Sequence, residues 1–227
     1  MLETRVMKYK AVLFDLDGTL LDTAKDIMGA CNHTLEKYGY KAVSEALLRT
    51  KVTAGMREML KLGVPQDKWD EAGIETFMRD EFSNYYSEHI ADKTVPFEGI
   101  EELVTALKNN GIKTGVITNK YLKHAMRVLD NFEFCKLFDL VLGCDSLTHS
   151  KPHPEPILKA LEMLKVNAQE TIYIGDHLND ITAANAAHVD SAIAMWGYGM
   201  NECKDVNLWG ATYKTFNVKE LSKLILS

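Results

Sequence analysis

The alternation of strand-like and helix-like stretches from residue 97 onward constrains the fold of this chain more than any other feature. Short runs rich in Val and Ile predict buried strands, and apolar residues three and four apart predict the helices between them. Such alternation indicates an α/β fold with a Rossmann-like parallel sheet and helices on both faces. The predicted strands are 113–118, 138–143, 171–175, 191–196 and a short 212–216; the predicted helices are 99–110, 122–132, 155–165, 180–188 and 218–226.

Residues 22–96 break this alternation, because they show helical periodicity and no convincing strand. The helices predicted there are 24–38, 44–50, 56–62 and 69–89. We therefore predict an α/β core made of residues 1–21 and 97–227, with residues 22–96 inserted as an all-helical cap. A helical insertion beside the strand ends is suited to act as a lid, and its two connections, near residues 20–22 and 92–96, are the predicted hinges.

Composition excludes several classes of protein. The chain has 227 residues, 46% of them hydrophobic, and its net charge of −6 offers no basic excess for binding nucleic acid. Residues 1–10 mix charges, so we expect no signal peptide, and no run of about 18 apolar residues predicts a membrane span. The four cysteines lack Cys-x-x-Cys spacing and are predicted to be reduced thiols of a cytoplasmic protein: Cys31, Cys135, Cys144 and Cys203.

Two carboxylates follow the first predicted strand, the apolar run 11–14. The sequence there is Asp15-Leu16-Asp17-Gly18-Thr19-Leu20. Ligands of open α/β sheets bind outside the carboxyl ends of the strands, and Gly18 allows the chain to turn abruptly at this point. A turn after Asp15 brings both carboxylates to one pocket, where they repel unless a cation lies between them or one is protonated. The motif therefore indicates a metal site, or a nucleophile beside an acid/base.

Three further stretches follow in order along the chain: Thr118-Asn119 after 115–117, Lys151 in Ser-Lys-Pro-His-Pro, and Gly175-Asp-His-Leu-Asn-Asp180 after 171–174. Together with the aspartate motif they resemble the haloacid dehalogenase-like hydrolase superfamily over nearly the whole chain. The spacing is most similar to the phosphoglycolate phosphatase-like branch, which carries a helical cap between its first and second motifs. The resemblance implies a Mg²⁺-dependent phosphatase acting on a small phosphorylated metabolite.

The resemblance also implies a role for each motif residue. Asp15 is the expected nucleophile, Asp17 the expected acid/base, and Lys151 the cation that neutralises the phosphoryl oxygens and Asp15. Thr118 and the backbone of Asn119 are expected to donate hydrogen bonds to the substrate. The metal residues implied are Asp15 and Asp176 as direct ligands, Asp17 through its backbone carbonyl, and Asp180 through water or by orienting other groups.

Other positions carry a structural interpretation beside the functional one. Asp180 could merely begin a helix, and His177, where the family usually has a small hydroxyl residue, could line the metal site or only start that helix. In the cap, Gly55 would let the backbone approach a ligand and Arg57 could pair with a substrate carboxylate. The alternative for these two residues is a surface turn with a solvated arginine.

Several functions remain open at this point. A phosphatase of small monoesters is favoured, with inorganic pyrophosphatase and a phosphoryl shuttle resembling β-phosphoglucomutase as alternatives. A signalling receiver domain is disfavoured, because receivers lack a helical insertion and no aspartate ends the run 116–118. A non-catalytic binding protein is disfavoured too, since every motif position holds a chemically competent residue. The sequence leaves monomer and homodimer equally open.

Overall fold

A six-stranded parallel sheet forms the centre of the molecule in the computed structural model, which describes residues 7–201 and 205–227. Its strand order is β5-β4-β1-β6-β7-β8, and each neighbouring pair is parallel. The predicted Rossmann-like α/β class is therefore confirmed. These strands are β1 (Ala11–Phe14), β4 (Lys113–Ile117), β5 (Leu140–Leu142), β6 (Thr171–Gly175), β7 (Asp190–Ala194) and β8 (Tyr213–Thr215).

Helices cover both faces of the sheet, and this explains why its central strands are apolar throughout. All four residues of β1 and all five of β6 are buried, as expected for strands packed on both sides. Leu13 and Tyr173 pack on one face, and Val12 and Phe14 pack on the other. The helices outside the insertion are α5 (Ile100–Asn109), α6 (Leu122–Leu129), α7 (Glu155–Leu164), α8 (Leu178–Ala186) and α9 (Val218–Leu226).

A helical segment is inserted between two very short strands, β2 (Leu21–Asp22) and β3 (Val95–Pro96). These strands pair antiparallel, Leu21 opposite Pro96 and Asp22 opposite Val95. The two chain crossings predicted as hinges are thus hydrogen-bonded to each other as a small ribbon. The helices of the segment are α1 (Ala24–Lys37), α2 (Glu45–Arg49), α3 (Met56–Lys61) and α4 (Phe77–Glu88).

One predicted helix is wrong over its first third. Periodicity predicted a helix over 69–89, but α4 begins only at Phe77, after a short 3₁₀ turn at Gln66–Lys68 and a series of turns. Gly73 adopts a left-handed φ of 67° and Thr76 lies at φ −128°, ψ −104°, so neither residue continues a helix. The other helices and strands lie within a few residues of their predicted bounds.

Two predictions from composition concern the described residues. None of the helices in those residues is long and apolar enough to cross a membrane. Cys31 and Cys135 are buried, Cys144 is partly buried, and all three are free thiols. Cys203 lies outside the described residues.

Candidate active site

The carboxyl ends of three adjacent strands gather the predicted motif residues at one edge of the sheet. Asp15 follows β1, Thr118 follows β4, and Asp176 follows β6. Because β1 lies between β4 and β6 in a parallel sheet, these three strand ends are neighbours. The sequence therefore places its acidic and hydroxyl groups together by topology rather than by proximity in the chain.

Lys151 lies at the centre of this cluster, and its side chain is only 2% exposed. Its ammonium nitrogen is 2.9 Å from Asp15 Oδ1 and 2.6 Å from Asp180 Oδ1, and it donates to the Tyr173 hydroxyl at 2.8 Å. Burial alone would lower the pKa of Lys151, but the two carboxylates outweigh it and raise that pKa. Lys151 is therefore a fixed positive charge. The side-chain amide of Asn119 holds the loop that carries Lys151, because it donates a hydrogen bond to the Lys151 carbonyl at 2.9 Å.

Asp180 is held by contacts on both of its carboxylate oxygens. Oδ1 pairs with Lys151 and accepts a 3.3 Å hydrogen bond from the Tyr173 hydroxyl, which also donates to the Ile117 carbonyl. Oδ2 accepts from the backbone N–H of His177 at 3.0 Å, closing a capping box at the start of α8. Asp180 thus begins its helix and orients Lys151 at the same time, so the two interpretations of this residue are compatible.

Asp15, Asp176 and Asp180 form a group that could hold a metal ion, since one carboxylate oxygen from each lies within 4.8 Å of the others. Oδ1 of Asp15 is buried and accepts no hydrogen bond of good geometry in the described residues. Burial raises the pKa of Asp15 to about 7 against the opposing charge of Lys151. Burial and the neighbouring carboxylates hold the pKa of Asp176 well above its usual range. Three buried carboxylates beside one ammonium fit a hard divalent cation such as Mg²⁺.

Glycines make room for Asp176. A Cβ at Gly18, whose φ is 83°, would lie 2.3 Å from Asp176 Oδ2, and a Cβ at Gly197 would lie 2.3 Å from Asp176 Cβ. The backbone N–H groups of Tyr198 and Gly199 donate to Asp176 Oδ2 at 2.9 and 2.8 Å. The residues after β7 therefore help to build the acidic group.

Asp17 lies apart from that group and contacts a residue that sequence reasoning missed. Both of its oxygens accept hydrogen bonds from Lys120 Nζ at 2.8 Å, and Oδ1 also accepts one from the Thr23 hydroxyl at 2.5 Å. Lys120 is buried, and the charge of Asp17 raises its pKa although burial opposes this. The signal for Lys120 was its position directly after Thr118-Asn119, where a lysine on a loop is ordinarily solvated.

A cavity of about 210 Å³ opens over the motif residues. Asp15, Asp17 and Lys151 line it, and so do the predicted substrate residues Thr118, Asn119 and Gly55. Arg57 does not line it; its Nε lies 2.9 Å from Glu75 Oε2 on the exposed surface. The geometry does not favour the prediction that Arg57 binds substrate.

His177 starts its helix, as one of its two interpretations held, and nothing in the described residues tests a role at the metal site. It is the N-cap residue of α8, and its Nδ1 accepts a hydrogen bond from the backbone N–H of Asn179 at 3.1 Å. It also lines the cavity. The ring is therefore oriented by the start of the helix while one side of it faces the site.

We expect the stabilisation of the protein by Mg²⁺ to grow as the pH rises from about 4 to 7. In the folded, metal-free protein the pKa of Asp15 is raised to about 7. The protonated carboxyl therefore stabilises the fold at low pH, and this contribution is lost as the pH passes through the folded pKa. A cation replaces it where the carboxylate is charged.

The measurement is the melting temperature with excess Mg²⁺ minus that with EDTA, taken across this pH range. Taking the difference cancels the titration of groups that do not interact with the bound ion. A difference that stays constant or shrinks with rising pH would contradict the assignment of the acidic group as the metal site.

Comparisons with known proteins agree with this geometry. The profile of a family described as haloacid dehalogenase-like hydrolase matches residues 12–194. An N-acetylmuramic acid 6-phosphate phosphatase of Pseudomonas aeruginosa is 34% identical over 215 residues, 95% of this chain and 94% of its own. A phosphoglycolate phosphatase of Xylella fastidiosa is 36% identical, covering 85% of this chain and 83% of its own.

A solved structure, that of a predicted phosphoglycolate phosphatase from Haemophilus somnus, superposes with a TM-score of 0.83 at 24% identity. The superposition covers 97% of this chain and 99% of that one. At this identity the likeness supports the fold.

Proposed function

Because this chain belongs to the haloacid dehalogenase-like hydrolase family, we propose that it hydrolyses a small phosphate monoester in two steps through an aspartyl-phosphate on Asp15. One observation carries the proposal. The Asp15 carboxylate lines the cavity with the Lys151 ammonium 2.9 Å away, and the second carboxylate of the same turn, Asp17, lines that cavity as well. A nucleophile, a fixed cation and a proton carrier are thus delivered by two short stretches of chain.

In the first step a carboxylate oxygen of Asp15 attacks phosphorus, and the bond to the ester oxygen breaks. The attack brings two anions together, so the site must neutralise charge. Lys151, 2.9 Å from Asp15, does this, and the Thr118 hydroxyl, which lines the cavity at the end of β4, donates to a phosphoryl oxygen. Asn119 keeps Lys151 in position through its hydrogen bond to the Lys151 carbonyl.

Asp17 moves the protons of both steps. It gives a proton to the departing alkoxide, and then takes one from the water that cleaves the aspartyl-phosphate and frees phosphate. Lys120 and Thr23 fix its carboxylate in the metal-free protein. These hydrogen bonds keep the Asp17 carboxylate at the cavity that the leaving group would occupy.

Mg²⁺ is the proposed cofactor. Asp15, Asp176 and Asp180 would hold it, with the Asp17 carbonyl as a further oxygen ligand. When bound, the ion neutralises part of the charge on the transferred phosphoryl group.

Further proposals concern the organisation of the protein. We place the division between core and cap at residues 1–21 and 97–227 against 22–96, and the short β2–β3 ribbon supports hinges at these crossings. We propose a cytoplasmic location, which the free thiols Cys31, Cys135 and Cys144 support. Both a monomer and a homodimer are compatible with the proposal.

Release of inorganic phosphate from a panel of esters tests the proposal. The panel should contain p-nitrophenyl phosphate, phosphoglycolate, sugar phosphates and pyrophosphate, each with Mg²⁺ and with EDTA. We expect Mg²⁺-dependent release from at least one monoester. If pyrophosphate alone were cleaved, the protein would be a pyrophosphatase; if a sugar phosphate were isomerised without phosphate release, it would be a phosphoryl shuttle. The family and the helical insertion exclude a receiver domain.

Asp17→Asn should slow alkyl phosphates far more than p-nitrophenyl phosphate, by about 10²–10⁴-fold for the alkyl esters when leaving-group protonation limits the rate. p-Nitrophenolate leaves without a proton, so the first step loses little with that substrate. The check is kcat/KM for both classes of ester. Equal losses for the two classes would remove Asp17 from its role as acid in the first step.

A further inference from the structure

The wall that residues 22–96 contribute to the cavity carries no charge among the described residues. Its side chains are four apolar ones, Ile27, Val52, Met56 and Phe82, and two that end in a hydroxyl, Thr53 and Tyr86. This wall faces the part of a substrate that lies beyond the phosphate. It is therefore built for a skeleton with an apolar face and hydrogen-bonding oxygens.

Tyr86 is the most unusual member of that wall. It lies in α4 and is 3% exposed, and its buried hydroxyl makes no hydrogen bond of good geometry among the described residues, although the Lys120 ammonium lies beside it. The nearest cation to its ring is Lys120, whose Nζ lies 4.9 Å from the ring centroid. Burial raises the pKa of Tyr86 to about 12, so the hydroxyl keeps its proton and can donate.

An ammonium only donates, so the Tyr86 proton has no acceptor of good geometry among the described residues. A buried hydroxyl whose proton has no acceptor destabilises the free protein, and buried polar groups of native proteins are nearly always paired. A phenylalanine would fill the same space without that cost. The hydroxyl is therefore best explained by a partner that enters the cavity from outside. The cavity lies over Asp15 and Asp17, so that partner belongs to a substrate bound there.

We infer that the Tyr86 hydroxyl is a specificity-determining group that hydrogen-bonds an oxygen of the leaving alcohol, and that this alcohol is an uncharged, hydroxylated skeleton such as a polyol or a sugar. This rests on the proposed function and names its substrate class.

The positions of the cationic side chains favour an uncharged leaving group. Lys151 and Lys120 line the cavity from the core, and each is already paired with a carboxylate. The two arginines near this wall are also engaged: Arg57 pairs with Glu75, and Arg49 lies 3.5 Å from Asp22. A substrate with a second anionic group, such as a carboxylate next to the phosphate ester, finds no unpaired lysine or arginine among the residues that line the cavity.

Tyr86→Phe tests the inference, with Tyr85→Phe as the matched control. Tyr85 is the preceding residue of α4, stacks on His33 with ring centroids 3.8 Å apart, and does not line the cavity. The substrates are glucose 6-phosphate and sorbitol 6-phosphate on one side, and p-nitrophenyl phosphate, phosphoglycolate and pyrophosphate on the other. The readouts are kcat/KM and the melting temperature of the free protein.

For the wild-type protein we expect the sugar and polyol phosphates to exceed phosphoglycolate and pyrophosphate in kcat/KM. Tyr86→Phe should lower kcat/KM for those favoured substrates by about tenfold or more, the value of one lost hydrogen bond of about 1.4 kcal/mol. It should change p-nitrophenyl phosphate by less than about threefold and leave the melting temperature equal or higher. Tyr85→Phe should leave the ranking of substrates unchanged.

Three outcomes would overturn the inference. The first is a wild-type preference for phosphoglycolate or pyrophosphate, and the second is an equal loss for all esters in Tyr86→Phe. The third is a lower melting temperature for Tyr86→Phe, which would show that the hydroxyl is already satisfied in the free protein. If p-nitrophenyl phosphate is cleaved with Mg²⁺ and any of these is seen, the substrate class fails and the proposed function stands. If no ester is cleaved, both fail.

Discussion

Asp15→Asn should reduce the release of phosphate from every ester to below about a thousandth of the wild-type rate, because an amide does not attack phosphorus and carries no charge for a cation. The protein should remain folded. Asp15 is one of three clustered buried carboxylates, and removing its charge relieves repulsion in the metal-free protein. The measurement is steady-state phosphate release with excess Mg²⁺, together with the melting temperature.

Asp190→Asn is a suitable control for this variant. Asp190 begins β7 at the opposite end of the sheet, where it pairs with Lys8 at 2.7 Å. It should keep wild-type activity, since the altered carboxylate is far along the strand from the catalytic edge. Residual activity of Asp15→Asn above about a thousandth of wild type, and above the background of the preparation, would mean that Asp15 is not the nucleophile.

The position of the acidic cluster could be predicted from the sequence because it depends on topology. Apolar runs identified β1, β4 and β6, and the residues directly after them had to meet at one sheet edge. The predicted strand 171–175 agrees with β6, and Asp176 follows it. Nothing about side-chain conformation was needed for that step.

Other contacts of the site could not be predicted, because they depend on side-chain placement across distant elements. Lys120 reaches Asp17 over 103 positions of sequence. Tyr86 enters the cavity from α4, in a segment where the start of that helix was also predicted wrongly. Periodicity finds a helix but says little about which of its buried residues faces a cavity rather than the core.

Two cap residues, Gly55 and Arg57, also show that sequence alone does not say which side chains face the cavity. Gly55 lines the cavity, with φ 91° at the start of α3, and its approach to a ligand stays a prediction. Arg57, two residues later, points to Glu75 instead. The sequence suggested Arg57 as a partner for a substrate carboxylate, but it could not show that a carboxylate of the protein surface, Glu75, lies close enough to pair with it.

Lys151→Met should impair both catalysis and stability. Methionine removes a buried ammonium that contacts Asp15, Asp180 and the Tyr173 hydroxyl. Breaking a buried ion pair by removing one partner typically costs about 3–5 kcal/mol, because the remaining charges are left uncompensated. We expect a loss of that size in the free energy of unfolding in EDTA near pH 8. The rate of phosphate release should fall by about 10²–10³-fold, as when one donor to a developing charge is lost.

The loss of stability and the loss of rate in Lys151→Met should respond differently to pH and to Mg²⁺. Lowering the pH toward 5 should recover part of the stability, because Asp15 can take up a proton there, and Mg²⁺ should recover part of it by replacing the missing positive charge. Neither should restore the rate, because in the proposed mechanism the Lys151 ammonium itself neutralises the phosphoryl oxygens.

Lys159→Met provides the comparison. Lys159 lies in α7, is 40% exposed, and pairs with Glu162 three residues on. An exposed pair of this kind contributes about 0–1 kcal/mol, so its loss should change neither readout much. If Lys151→Met were as stable and as active as Lys159→Met, the carboxylates of Asp15 and Asp180 would not depend on that ammonium. The charge balance on which the proposed mechanism rests would then have to be assigned to other groups.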